Sequence, residues 1–122
     1  MEWNPLRYSN VDTNSTLADL YQANVKTLGV TFNPAVQQLQ RGSTDMGNVS
    51  HIIPSTHVLF DIGTTVSSHS HAFTTAAITE IAHEKTLIAS KAMAMTAIDV
   101  LCNPELMEKV KEDFEKSHSK AD

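Results

Sequence analysis

Residues 42–73 read GSTDMGNVSHIIPSTHVLFDIGTTVSSHSHAF. This stretch decides how the chain is read. Its middle, Val58, Leu59, Phe60 and Ile62, is a near-continuous apolar and β-prone run broken only by Asp61. Unbroken apolarity fits a strand covered on both faces, as in a parallel sheet flanked by helices. The expectation is therefore an α/β fold. The same count exposes a mismatch, because one clear strand stands against three helices and a single strand makes no sheet. The expected form is an α/β remnant with few strands and an incomplete sheet.

Polar segments flank that run. Before it, Gly42, Ser43, Thr44 and Asp45 pack small and polar groups, with Gly47 close by. They read either as a turn joining two elements or as a cap for a short helix from Met46 to Ser50. After it, residues 63–73 form a polar loop holding His69 and His71. In open α/β sheets, functional loops lie beyond the carboxyl ends of strands. Histidines at that place are either metal ligands or a solvated loop, and spacing leaves both readings open.

The rest of the chain reads as helix. Leu17, Leu20, Tyr21, Val25 and Leu28 share one face of a helix over 14–28. Asn14 or Ser15 caps that helix and Gly29 stops it. Residues 30–33 suggest a short strand or turn, and residues 35–40 a helical turn. A long helix is expected over 74–102, capped by Thr74 or Thr75, with Ile78, Ile81, Ala82, Leu87, Ile88, Ala92, Met95 and Ile98 inward. From Ala92 to Leu101 it is apolar almost all round, so burial on most sides is expected. Ala89, Ala92, Ala94 and Ala97 would let a neighbour approach closely. Asn103, Pro104 and Glu105 make an N-cap, a first-turn proline and a first-turn acid for a last helix. Residues 118–122 read as a frayed tail. Leu6, Tyr8 and Val11 could line a short edge strand in an otherwise loosely ordered start.

Composition narrows the function classes. The chain has 122 residues, 41% of them hydrophobic, and a formal net charge of −5. That charge argues against a general nucleic-acid binder, which needs a basic face to neutralise phosphates. No apolar run approaches the roughly 18–20 residues that cross a bilayer. The first ten residues lack the apolar core of a secretory signal, and the one cysteine, Cys102, excludes an intrachain disulfide. A cytoplasmic location, without nucleic-acid or membrane partners, is the expectation.

Three strings carry a resemblance: GSTDMGNVSHIIP, the loop with HSHAF, and KAMAMTAIDVLCNPELMEKVKEDF. Together they resemble the C-terminal third of zinc peptidase family M-twenty, the aminoacylases and aminobenzoyl-glutamate hydrolases, and within it a branch of cytosolic dipeptidases. NSTLADLYQANVKTLG resembles that family's first helix after its chain returns from the lid domain. The resemblance implies residues 1–13 as a remnant of that return, residues 14–117 as the C-terminal part of a catalytic α/β domain, and 118–122 as a tail. It implies a two-zinc site that hydrolyses an amide bond in a small peptide or N-acyl amino acid, including dipeptides with a basic C-terminal residue. In such a site the metal lowers the pKa of water and a carboxylate takes its proton.

The family's last zinc ligand opens an H-S/T-x-x-F/Y string. Here the string is His69-Ser70-His71-Ala72-Phe73, so His69 is the implied ligand. Asp45 and Asn48 fall in the loop bordering the family's substrate site. Nothing in this chain carries over as a catalytic residue, because neither an H-x-D string nor a Glu-Glu pair occurs. The resemblance places those groups upstream. It implies a segment inactive alone and leaves homo-oligomerisation open. The alternative is a non-catalytic module that pairs with a full-length relative or another partner through its apolar surface.

Overall fold

A computed structural model describes residues 7–31 and 44–119. Helix α1 spans Ser15–Thr27, α2 Met46–Ser50, α3 His71–Ala77, α4 Glu80–Cys102 and α5 Pro104–His118. The expected turns at 32–40, with Leu6, Gly42 and Ser43, lie outside the described residues.

The α/β expectation is overturned: among the described residues there is no strand and no sheet. The cause is the absence of a partner for residues 54–60. They form no ladder. Instead the segment docks on helices, with Asn14 N–H donating to Ser55 C=O at 2.8 Å. Val58 packs against the helical core, whereas Leu59 and Phe60 stay exposed. A β-prone run becomes a strand only where another backbone offers hydrogen bonds. The edge strand expected near Tyr8 and Val11 is also not formed by the described residues.

Helix α1 forms where its signals placed it. Asn14 is extended, and its Oδ1 accepts from Leu17 N–H at 3.1 Å. At the other end Gly29, at φ 85°, donates to Lys26 C=O, and Val30 N–H reaches back to Val25 C=O. That pair of bonds is a Schellman stop, and its left-handed residue suits glycine.

The long helix over 74–102 is interrupted. Thr79 is extended and caps α4, its Oγ1 accepting from Ala82 N–H at 3.2 Å and donating to Ala76 C=O at 2.8 Å. Ser70 caps the short α3 in the same way. The expected caps at Thr74 and Thr75 are thus replaced by Ser70 and Thr79. Asn103 and Pro104 start α5 as the sequence indicates. His118, expected in the tail, belongs to its last turn.

The core is small and helical. Tyr21 and Val25 of α1 meet Ala92 of α4, with Leu28, Val58 and Ile88 around them. Burying a side chain the size of Val25 is worth about 1.5–3 kcal/mol. Burial also pushes the Tyr21 phenol above its ordinary pKa. The buried side of α4 is a row of mostly small residues, Ala82, Ala89, Ala92, Thr96 and Val100, and α1 meets it at Ala92 and Thr96. Small side chains let the backbones approach.

The other side of α4 corrects the expected burial. Ile81, Leu87, Met93, Ile98 and Leu101 are exposed, the last at 75%, as are Ala94 and Ala97.

Polar bonds close the gaps between helices. Asn24 Nδ2 donates to Thr96 Oγ1 at 3.1 Å and to Asp99 Oδ2 at 2.8 Å. Asp113 of α5 accepts from Ser15 Oγ at 2.7 Å, Thr16 N at 3.1 Å and Thr16 Oγ1 at 2.5 Å. A carboxylate at a helix N-terminus satisfies a free N–H and meets the positive end of the dipole. Those bonds, above all the one from Thr16, hold the Asp113 carboxyl below its ordinary pKa.

Candidate functional site

The residues singled out by sequence lie on two separate supports. The first is the 44–50 unit. Thr44 Oγ1 accepts from Met46 N–H at 3.2 Å and Asn48 N–H donates to Asp45 C=O at 2.9 Å, so the polar string does become a short helix. Asp45 occupies its N-cap position, is exposed, and makes no side-chain capping bond.

Asn48 faces the segment before α1. Its Oδ1 accepts from Ser9 N–H at 3.0 Å and its Nδ2 donates to Arg7 C=O at 2.9 Å. Both ends of the amide are engaged, as for a residue paired to an extended backbone. Ser50, wholly buried, continues this clamp: it accepts from Asp12 N–H at 2.9 Å and donates to Gly47 C=O at 2.7 Å. Gly47 is required by close approach, since a Cβ there would stand 1.8 Å from the Ser9 carbonyl oxygen.

The second support is the loop from Asp61 to Ser70. Asp61 Oδ1 accepts from Gly63 N–H at 2.7 Å, and Oδ2 pairs with Lys85 of α4. The Lys85 ammonium, with Gly63 N–H, holds the Asp61 carboxyl below its usual range. Gly63 takes φ 83°, and a Cβ there would come within 2.6 Å of Ile81 Cγ2. Asp61, Gly63, Thr64 and Thr65 line a shallow depression beside this turn.

His69 follows in this loop at φ 63°, the one non-glycine residue at positive φ among the described residues. The left-handed region costs an ordinary L-residue about 1–2 kcal/mol. Ser70 fixes what comes next: its Oγ donates to Ser67 C=O at 2.7 Å and accepts from Phe73 N–H at 3.1 Å. His69 and His71 are both exposed, and His71 opens α3. The HSHAF string therefore places His69 as an exposed imidazole just before a helix cap.

A catalytic zinc takes about three protein ligands and keeps one position open. Among the described residues no three His, Cys, Asp or Glu side chains converge. His69 brings one nitrogen donor, and the described residues do not fit the complete zinc centre that the resemblance implies. A second groove, at the α3–α4 junction, is lined by Ala77, Ile78, Thr79, Glu80, His83 and Thr86. Its two ionisable groups, Glu80 and His83, are exposed and add no converging third ligand.

No family model matches the chain. The curated relatives do. The Xaa-Arg dipeptidase of Mus musculus is 44% identical over 109 residues, which is 88% of this chain and 25% of that protein. The Xaa-Arg dipeptidase of Homo sapiens is 42% identical over the same shares. The chain is homologous to the Xaa-Arg dipeptidases. The peptidase resemblance carried by GSTDMGNVS and HSHAF is thereby borne out.

The chain spans about a quarter of the length of these dipeptidases.

One cluster escaped the sequence reading. His51, at the end of α2, packs edge-on against His118 of α5, with ring centroids 5.6 Å apart. The signal was absent from spacing, because these residues lie 67 positions apart and His118 sat in an expected tail.

Proposed function

We propose that this chain is the part of a dipeptidase that forms one wall of an amide-hydrolysing site for small peptides, including dipeptides with a basic C-terminal residue and N-acyl amino acids. The homology to Xaa-Arg dipeptidases supports this reading most directly. In it His69 supplies one nitrogen donor to a zinc centre whose other ligands and general base come from polypeptide beyond this chain. Asp45 borders the substrate. Asn48 acts behind it, fixing residues 7–9 against α2. The chain alone is inactive, and the assembled enzyme works in the cytoplasm.

A hybrid tests this. The matching quarter of the mouse Xaa-Arg dipeptidase is replaced by this chain, and hydrolysis of an Xaa-Arg dipeptide is followed together with bound zinc. The expected result is an active hybrid, an inactive His69→Ala hybrid with reduced zinc, and no hydrolysis by the isolated chain. A folded, zinc-loaded hybrid without activity would overturn the dipeptidase reading. A fully active His69→Ala hybrid would remove His69 from it.

One observation favours a second reading. The exposed Leu87, Met93, Ile98 and Leu101 on α4 suit a non-catalytic module that pairs with a full-length relative. A folded chain that stays monomeric when mixed with such a relative would count against it.

A further inference from the structure

The ring of His118 lies between Phe114, 4.2 Å away by centroids, and His51, 5.6 Å away at 78°. Its Nδ1 stands 2.8 Å from the Phe114 carbonyl oxygen. A carbonyl only accepts, so Nδ1 carries the proton and donates. Nε2 is then a bare lone pair, and it is buried with no hydrogen-bond partner. A buried acceptor left unpaired carries a desolvation cost and calls for a physical account.

His51 repeats the pattern. Its Nε2 lies 3.1 Å from the Asn10 carbonyl oxygen, so Nε2 donates and Nδ1 is left as a lone pair. Ligating histidines in metal sites usually donate their other N–H to a carbonyl or carboxylate, which fixes the tautomer and the ring. Both rings here are fixed in that way. Asp12 Oδ2, 3.7 Å from His118 Nδ1, adds negative charge beside the pair. Two imidazoles sharing one tetrahedral zinc at 2.0–2.1 Å have centroids roughly 5 Å apart. The observed centroid distance, 5.6 Å, is close to that value, and the His51 ring is exposed, with room to adjust.

We propose that His51 and His118 bind one divalent transition-metal ion of the class imidazole suits, such as zinc, nickel or copper. Water completes its coordination. The ion joins the segment at Asn10–Asp12, the end of α2 and the last turn of α5. With two protein donors it is a structural clamp and is separate from His69.

Zinc chloride titrated into the full chain by calorimetry tests this, alongside His69→Ala, His51→Ala and His118→Gln. The expected result is one ion per chain in wild type and in His69→Ala, with binding at least roughly tenfold weaker in the other two variants. Zinc should also move the ring nitrogen signals of His51 and His118 in NMR spectra, and leave those of His57, His71 and His83 in place. Unchanged affinity in His51→Ala, or zinc shifts confined to other histidines, overturns the proposal. His51 is exposed, so its variant keeps the fold and the test even if His118→Gln does not.

Discussion

Asn14→Ala is expected to destabilise the fold by about 1.5–3 kcal/mol. The side chain is buried, at 6% exposure, and does two jobs. Oδ1 caps α1 through Leu17 N–H, a bond whose loss costs about 0.5–2 kcal/mol. Nδ2 donates to the Val110 carbonyl oxygen at 2.8 Å, and a buried hydrogen bond of this kind contributes about 1 kcal/mol. The backbone bond from Asn14 N–H to Ser55 is unaffected by the substitution. For a domain of this size the sum corresponds to a fall in Tm of roughly 5–18 °C. Urea unfolding followed by circular dichroism measures it. Asn14→Ser separates the two jobs: its hydroxyl keeps a capping oxygen and the donor to Val110 is lost, so about 1 kcal/mol is expected. A loss below about 0.5 kcal/mol in Asn14→Ala, within the range of ordinary surface substitutions, would refute the claim that this residue joins α1 to α5.

Asp113 makes stability acid-sensitive. Its folded pKa lies below the ordinary 3.8, so its contribution is present above that value and is lost as pH falls through the folded pKa; Tm measured against pH should flatten there in Asp113→Asn. Gly47→Ala drives a Cβ into the Ser9 carbonyl, and an overpacking cost of about 1–3 kcal/mol with shifted NMR signals at Ser9 and Asn10 is expected. His69→Gly relieves a left-handed φ and should raise stability by up to about 1 kcal/mol in urea unfolding. Leu101→Lys on the exposed side of α4 should change stability by less than about 0.5 kcal/mol while lowering self-association in sedimentation velocity.

What the sequence made legible was local. The caps at Asn14 and Asn103 and the stop at Gly29 were readable because the deciding bonds span only a few residues. The break at Thr79 carried a weak version of the same signal, a β-branched hydroxyl residue before Glu80, inside an apolar pattern strong enough to mask it. The run at 58–62 was misread because strand formation depends on a second backbone, which no local property reports. Among the candidate residues, His69 was singled out through its string. The engagement of Asn48 with Arg7 and Ser9 was not, since it depends on a contact across about forty positions.

The hydrogen bonds from the start of α1 to Asp113 have a consequence for the order of events in synthesis. Thr16 and Asp113 are separated by 97 positions. While the chain is still emerging from the ribosome, the first helix is short and its leading N–H groups lack their carboxylate partner. Isolated helices of this length are marginal in water, and closing so long a loop must precede the reward. Helix α1 is therefore among the last of these elements to become secure. This region becomes secure only once α5 is available, and a nascent chain stalled before α5 presents a hydrophobic α1 face to chaperones.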